Sequence, residues 1–221
     1  MADPNTDYRT ISRLAYDNGV DLYEEAKLLH QKESPRAFTL AVASIEELEK
    51  SQLCDLVAKG MVKPEELVFE DKNGKHPLLT HHKGKQILFT LFLLTQAANK
   101  EGRAKVAEVY DTLMRTGNTD TVNVKGKKQI VEQIVSMESR RQDSVYVGTK
   151  GVGKQVKSPK KAISRKMAEY LLQRISEYLP KLKTNLMMSD QQYQAENEKR
   201  MKEYAKHVQP VNTPKKSEEQ A

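Results

Sequence analysis

Charge stands where a helix ought to be apolar in the segment Glu46-Glu47-Leu48-Glu49-Lys50. Helical geometry puts Glu46, Glu49 and Lys50 in the middle of a stripe whose other members are Val42, Leu53 and Val57. Half-buried charges are costly unless paired, so residues of this kind are kept for structure or for function. Glu46 and Lys50 lie four apart with the acid on the N-terminal side, the better orientation for a helical ion pair. A pair on the rim of the helix is therefore the structural alternative to a site. A second group, His81-His82-Lys83-Gly84-Lys85, stands immediately before the apolar run Ile87 to Leu94. It sets donors and a titratable ring at the mouth of a buried helix. A third runs from Glu138 to Val147. Its Arg141 continues the stripe of Ile130, Ile134 and Met137, and Tyr146 follows five residues later. Guanidinium matches phosphate oxygens in bidentate fashion; equally, the arginine could cap helix carbonyls while the tyrosine packs. Glu46, Lys50, His82, Arg141 and Tyr146 are the candidate catalytic residues. Because isolated charge on an apolar stripe is costly, Glu46, Lys50, His82 or Lys85, and Arg141 are expected to converge.

The chain carries 37 Lys and Arg against 30 Asp and Glu, a net charge of +7 that permits contact with nucleic acid without requiring it. Much of the excess lies between Lys125 and Lys166. If RNA is engaged, Lys85, Arg140, Lys150, Lys154 and Lys157 are the expected contacts. The stretch Gly148 to Lys154 has the spacing of a phosphate-binding loop, but Gln155 stands where a hydroxyl residue is needed and Pro159 forbids an immediate long helix. It reads as a basic hairpin or flap, with no nucleotide cofactor. No second His or Cys pair lies at ligand spacing, so no metal and no other cofactor is expected.

The elements that must hold these residues are helices. Only ten Gly and eight Pro punctuate 221 residues. Thr6 or Asp7 caps a first helix with Ile11, Leu14, Ala15, Leu22, Ala26 and Leu29 on one side. Ser34-Pro35 opens a second, and Gly60 stops it, giving a helical hairpin. Residues 61 to 76 read as an irregular connection. A third helix starts near Thr80 and extends toward Arg115; a fourth spans about Val124 to Asp143, followed by a briefly extended Val145-Tyr146-Val147. A fifth follows Ser158-Pro159, with Ile163, Met167, Leu171, Ile175, Tyr178 and Leu182 inward and Pro180 close to its end. The expected organisation is an all-α bundle over residues 1–183 with the 148–158 loop, a polar helix over 184–208 and a disordered tail over 209–221.

The single Cys54 excludes an intramolecular disulfide and sits in an apolar stretch as an inert buried thiol. Met1 to Thr10 has no apolar core of a signal peptide, and no run approaches the ~20 apolar residues of a membrane span. A cytoplasmic protein with no membrane partner is expected.

Taken in order, these groups resemble a known family. Tyr16 to Lys50, with Ala26, Ala37, Ala41 and Glu46 to Lys50, is similar to the opening helical hairpin of AbiV-type abortive infection proteins, a branch of the HEPN superfamily. His82-Lys83-Gly84-Lys85 resembles the His-Lys-x-Lys element that follows there, and Arg141 to Val147 its later arginine-containing stretch. The resemblance implies a helical bundle, often dimeric, working in defence against phage or virus. Many HEPN proteins are metal-independent ribonucleases with an Arg-x(4–6)-His motif. Here no His follows Arg140 or Arg141 within six residues, and Tyr146 stands in its place. That departure tilts the expectation toward a non-catalytic protein that senses a phage product or blocks translation, with an RNA-cleaving effector as the competing reading. A helical scaffold outside defence is the third. A homodimer is expected from the family habit and from the Ile87 to Leu94 run, apolar around much of its circumference.

Overall fold

The computed structural model describes residues 6–71, 74–97, 140–141, 145, 148–149 and 156–205. Helix α1 spans Tyr8–Gln31, and Asp7 caps it by accepting from the Thr10 amide at 3.0 Å. Its inward face is Ser12, Ala15, Gly19, Tyr23 and Ala26. Leu14, expected inward, is 64% exposed, and Ile11, Leu22 and Leu29 are only half-buried. The reason is close approach. Small residues on α1 let the second helix, α2 (Arg36–Ala58), lie almost backbone to backbone with it. Ser12 Oγ donates to the Ser51 carbonyl at 2.8 Å, and Ser44 Oγ to the Gly19 carbonyl at 2.6 Å. A Cβ added at Gly19 would stand 2.8 Å from Cγ and Cδ2 of Leu48. Gly19→Ala should therefore lower stability by about 1–3 kcal/mol despite alanine's better helix propensity. Thermal melting at neutral pH checks this; a variant melting at or above the parent temperature would show that the contact yields.

The turn between the two helices keeps Glu33 in the left-handed region (φ 54°), where the Ser34 amide reaches back to the Leu29 carbonyl. Helix α2 begins at Arg36, just past Ser34-Pro35, and ends on Gly60 (φ 67°). There the Met61 and Gly60 amides bond the Leu56 and Val57 carbonyls, closing the helix as the sequence suggests. The connection expected to be irregular is in part ordered. After a 3-10 turn at Pro64–Glu66, β1 (Val68–Asp71) pairs antiparallel with β2 (Gly74–Pro77), and Gly74 has φ 117°.

Helix α3 covers His82–Ala97. The further course of the third helix and most of the fourth lie outside the described residues, as do Tyr146, Lys150, Lys154 and the tail from residue 209. Arg140 and Arg141 are helical, and so is Val145, where an extended segment is expected. Short strands β3 (Gly148–Thr149) and β4 (Val156–Lys157) pair antiparallel, so the Gly/Lys-rich loop is carried by a hairpin whose Lys157 lies opposite Gly148.

The expected fifth helix is two. A four-residue α4 (Pro159–Ala162) gives way to extended backbone at Ile163 and Ser164, and α5 then runs Arg165–Met187. The break turns Ile163 inward, where it is 4% exposed. Leu171, Ile175, Tyr178 and Leu182 are buried as expected and Met167 partly so. Pro180 lies within α5 rather than near its end, seven residues before Met187. Helix α6 (Asp190–Ala205) opens with a reciprocal cap, Gln192 amide to Ser189 Oγ and Ser189 amide to Gln192 Oε1, and Arg9 ties it to α1 through Asp190 at 3.1 Å. The whole is an all-α bundle with α2 at its centre, packed against α1, α3 and α5. Its core joins Phe38, Ile45, Leu48, Phe89, Leu171, Ile175 and Tyr178. Among the described residues no helix is long and apolar enough to cross a membrane.

Candidate functional site

Because α2 is surrounded, the charges on its stripe are taken inside. Glu46 and Glu49 are each 4% exposed. Glu46 finds its partners on α3, not one turn along its own helix. His82 Nδ1 lies 2.5 Å from Glu46 Oε2, and Gln86 Nε2 donates to Glu46 Oε1 at 2.7 Å. The carboxylate side chain is 6% exposed while the imidazole is 56% exposed. A buried acid thus holds a ring whose far edge faces solvent. The Glu46–Lys50 ion pair, the structural alternative to a site, does not form, because Glu46 is turned toward α3. Lys50 instead stands 3.8 Å from Glu47 and stays partly exposed.

Position on α3 follows from its first turn. His81 caps the helix: its Nδ1 accepts from the Gly84 amide at 3.1 Å, and its ring stacks at 5.0 Å on His76 of β2. That cap fixes the rotation of α3, and His82 and Gln86, four apart, then fall on the side that meets Glu46. Lys85 is also buried, 4% exposed, and donates to the Leu79 carbonyl at 3.2 Å. Burial pulls its ammonium below the usual lysine range, while Glu46 and Glu47 pull the other way. Glu46, Lys50, His82 and Lys85 therefore converge. Arg141 is placed through its backbone, whose carbonyl accepts from Thr39 Oγ1 at 3.5 Å. Thr39 lies seven residues before Glu46, two helical turns along the same face of α2, about 10 Å away.

Two buried groups border this site. Glu49 packs toward α5, where Tyr178 reaches it and also donates to Gln52 Oε1 at 2.5 Å. Burial pushes the Glu49 carboxyl up to about 8, the tyrosine hydroxyl opposing, and its Oε1 has no hydrogen-bond partner among the described residues. Cys54 is fully buried and burial pushes its thiol up to about 11, so it is a packing residue and no nucleophile. Among the described residues no cluster of His, Cys, Asp and Glu is arranged to hold a metal ion.

Sequence reasoning missed Gln86 and the capping role of His81. The signal for Gln86 was its spacing of four from His82; an amide reads as neutral filler until its partner is known. The fold is a helical bundle that holds a carboxylate and an imidazole between its second and third helices. The chain matches the HEPN family described as AbiV over residues 7–180, and it belongs to that family. Membership points to defence by abortive infection. No curated protein and no solved structure matches the chain.

Proposed function

We propose that this protein acts in abortive infection by cleaving RNA without a metal, with His82 as the proton acceptor. The observation that carries the reading is the Glu46–His82 pair: a buried carboxylate holding one nitrogen of a solvent-facing imidazole. A ring so held is oriented, and its other nitrogen is free to take a proton from an RNA 2′-hydroxyl as that oxygen attacks the adjacent phosphorus. The imidazole that the sequence lacks after Arg141 is then supplied by α3. Arg140 and Arg141, half-buried beside α2, would supply the guanidinium that stabilises charge on the phosphate. Lys50 and Lys85 add positive charge next to Glu46, and Tyr146 is a second candidate for moving protons.

The test is incubation of pure protein with total RNA, with and without chelator, beside Arg141→Ala. Cleavage that survives the chelator and is lost in the variant supports the reading. RNA binding without turnover would instead favour the interaction protein. Lys150, Lys154 and Lys157 are expected to neutralise phosphates from the hairpin. Replacing all three by Ala should weaken binding similarly for all RNA sequences and flatten the salt dependence by roughly 0.7 per lost phosphate contact. Equal binding at every salt concentration would reduce the hairpin to a solvated connection. The same reading has the protein acting as a homodimer; light scattering that returns a monomer at high micromolar concentration would contradict it.

A further inference from the structure

Gln86 belongs to no group that the sequence marks for chemistry, yet it is 2% exposed and its amide Nε2 donates to Glu46 Oε1. A buried polar side chain inside an apolar run is costly unless its hydrogen bonds are needed. Its neighbours along α3 show how unusual it is there, since Ile87 and Phe89 are buried apolar residues. The geometry has a consequence for the proton. A carboxylate oxygen that receives an amide N–H is an acceptor, and its twin, paired with an imidazole nitrogen, is left to accept from the ring. Glu46 is then an acceptor at both oxygens, so His82 must donate from Nδ1.

We propose that Gln86 is a positioning residue: it fixes Glu46 so that His82 carries its proton on Nδ1 and presents a bare Nε2 to solvent. This rests on the reading of His82 as proton acceptor, and it names the accepting atom. The tautomer is the minority form of free histidine, so it is a distinctive signature. The neighbouring imidazole supplies an internal contrast. His81 accepts a backbone N–H at Nδ1 and therefore carries its own proton on Nε2 when neutral. Adjacent histidines hold opposite tautomers, each imposed by the partner of Nδ1.

The test is nitrogen NMR of the full-length protein labelled with ¹⁵N-histidine, at a pH where the rings are neutral, beside Gln86→Met and Gln86→Glu. Wild type should show His82 protonated at Nδ1 and His81 at Nε2. Gln86→Met keeps the side-chain length and removes the donor; His82 should relax toward the Nε2-protonated form while His81 does not change. Cleavage of RNA should fall about 10- to 100-fold with RNA affinity unchanged, the size expected when the support of a functional group is lost. Gln86→Glu serves where the methionine variant does not fold: two facing carboxyl groups share a proton, Glu46 Oε1 again accepts from an O–H, and the His82 signature should survive, its loss counting against the proposal. A wild-type His82 protonated at Nε2, or a Gln86→Met protein that keeps the Nδ1 proton, overturns the proposal even if RNA is cleaved. A tautomer that depends on Gln86 supports it even if RNA is left intact, and in that case the ribonuclease reading alone falls.

Discussion

Replacing His82 by Ala should lower RNA cleavage by about 10²- to 10⁴-fold, the range associated with a positioned acid or base. His82 is 56% exposed, so little packing is lost, but the buried Glu46 Oε2 loses its partner. That loss alone can cost about 1–3 kcal/mol of stability, and a weakened fold would blur the result. His82→Asn separates the two effects. The asparagine amide can still donate toward Glu46, yet it has no titratable nitrogen. It should melt close to wild type and be as inactive as the alanine variant. An asparagine variant that cleaves normally would remove His82 from the chemistry, whatever the alanine variant does.

The second large effect concerns stability and pH. Glu49 is buried on α2, and its carboxyl is raised from 4.5 to about 8 by burial. The folded state therefore holds a proton that the unfolded chain has already released over that interval. Stability contributed by this proton is fully present below about pH 4.5 and is lost as pH rises to about 8, at roughly 1.4 kcal/mol per pH unit. Glu49→Gln removes the titration while keeping the shape. The difference in unfolding free energy between variant and wild type, followed by urea titration at several pH values, should grow through that window and level off above pH 8. Parallel stability profiles across it would show that Glu49 is ionised in the folded bundle and that another group compensates it.

Much of the architecture was legible because helices announce their ends and their faces. Asp7 and Gly60 start and stop helices where capping chemistry says they should, and the stripe from Leu171 to Leu182 is inward as its spacing requires. Leu14 misled because periodicity weighs apolar size, whereas α1 meets α2 through Ser12, Gly19 and Ala26, where smallness decides. The break at Ile163 and Ser164 was hidden for a related reason: two residues leave the helix so that the first can reach the core, and no proline or glycine lies at the break. Glu46, His82 and Lys85 could be found because charge on an apolar stripe is conspicuous. Their pairing could not, since the choice of His82 over Lys50 as partner of Glu46 depends on how α3 is rotated against α2. That rotation is set by a histidine cap and by the Phe89–Tyr178 contact (5.6 Å between ring centres), features of the assembled bundle and of no single segment.

The central claim is that the Glu46–His82 pair draws the proton from an RNA 2′-hydroxyl, and the ends of the RNA fragments report on it directly. Attack by that oxygen on the adjacent phosphorus expels the 5′-oxygen and leaves a cyclic 2′,3′-phosphate on one fragment and a 5′-hydroxyl on the other. Fragments produced by the pure protein in the presence of chelator should carry those ends, and His82→Asn should produce none. RNA that remains intact with the wild-type protein, or fragments with 3′-hydroxyl ends whose formation needs a divalent ion, would contradict the account.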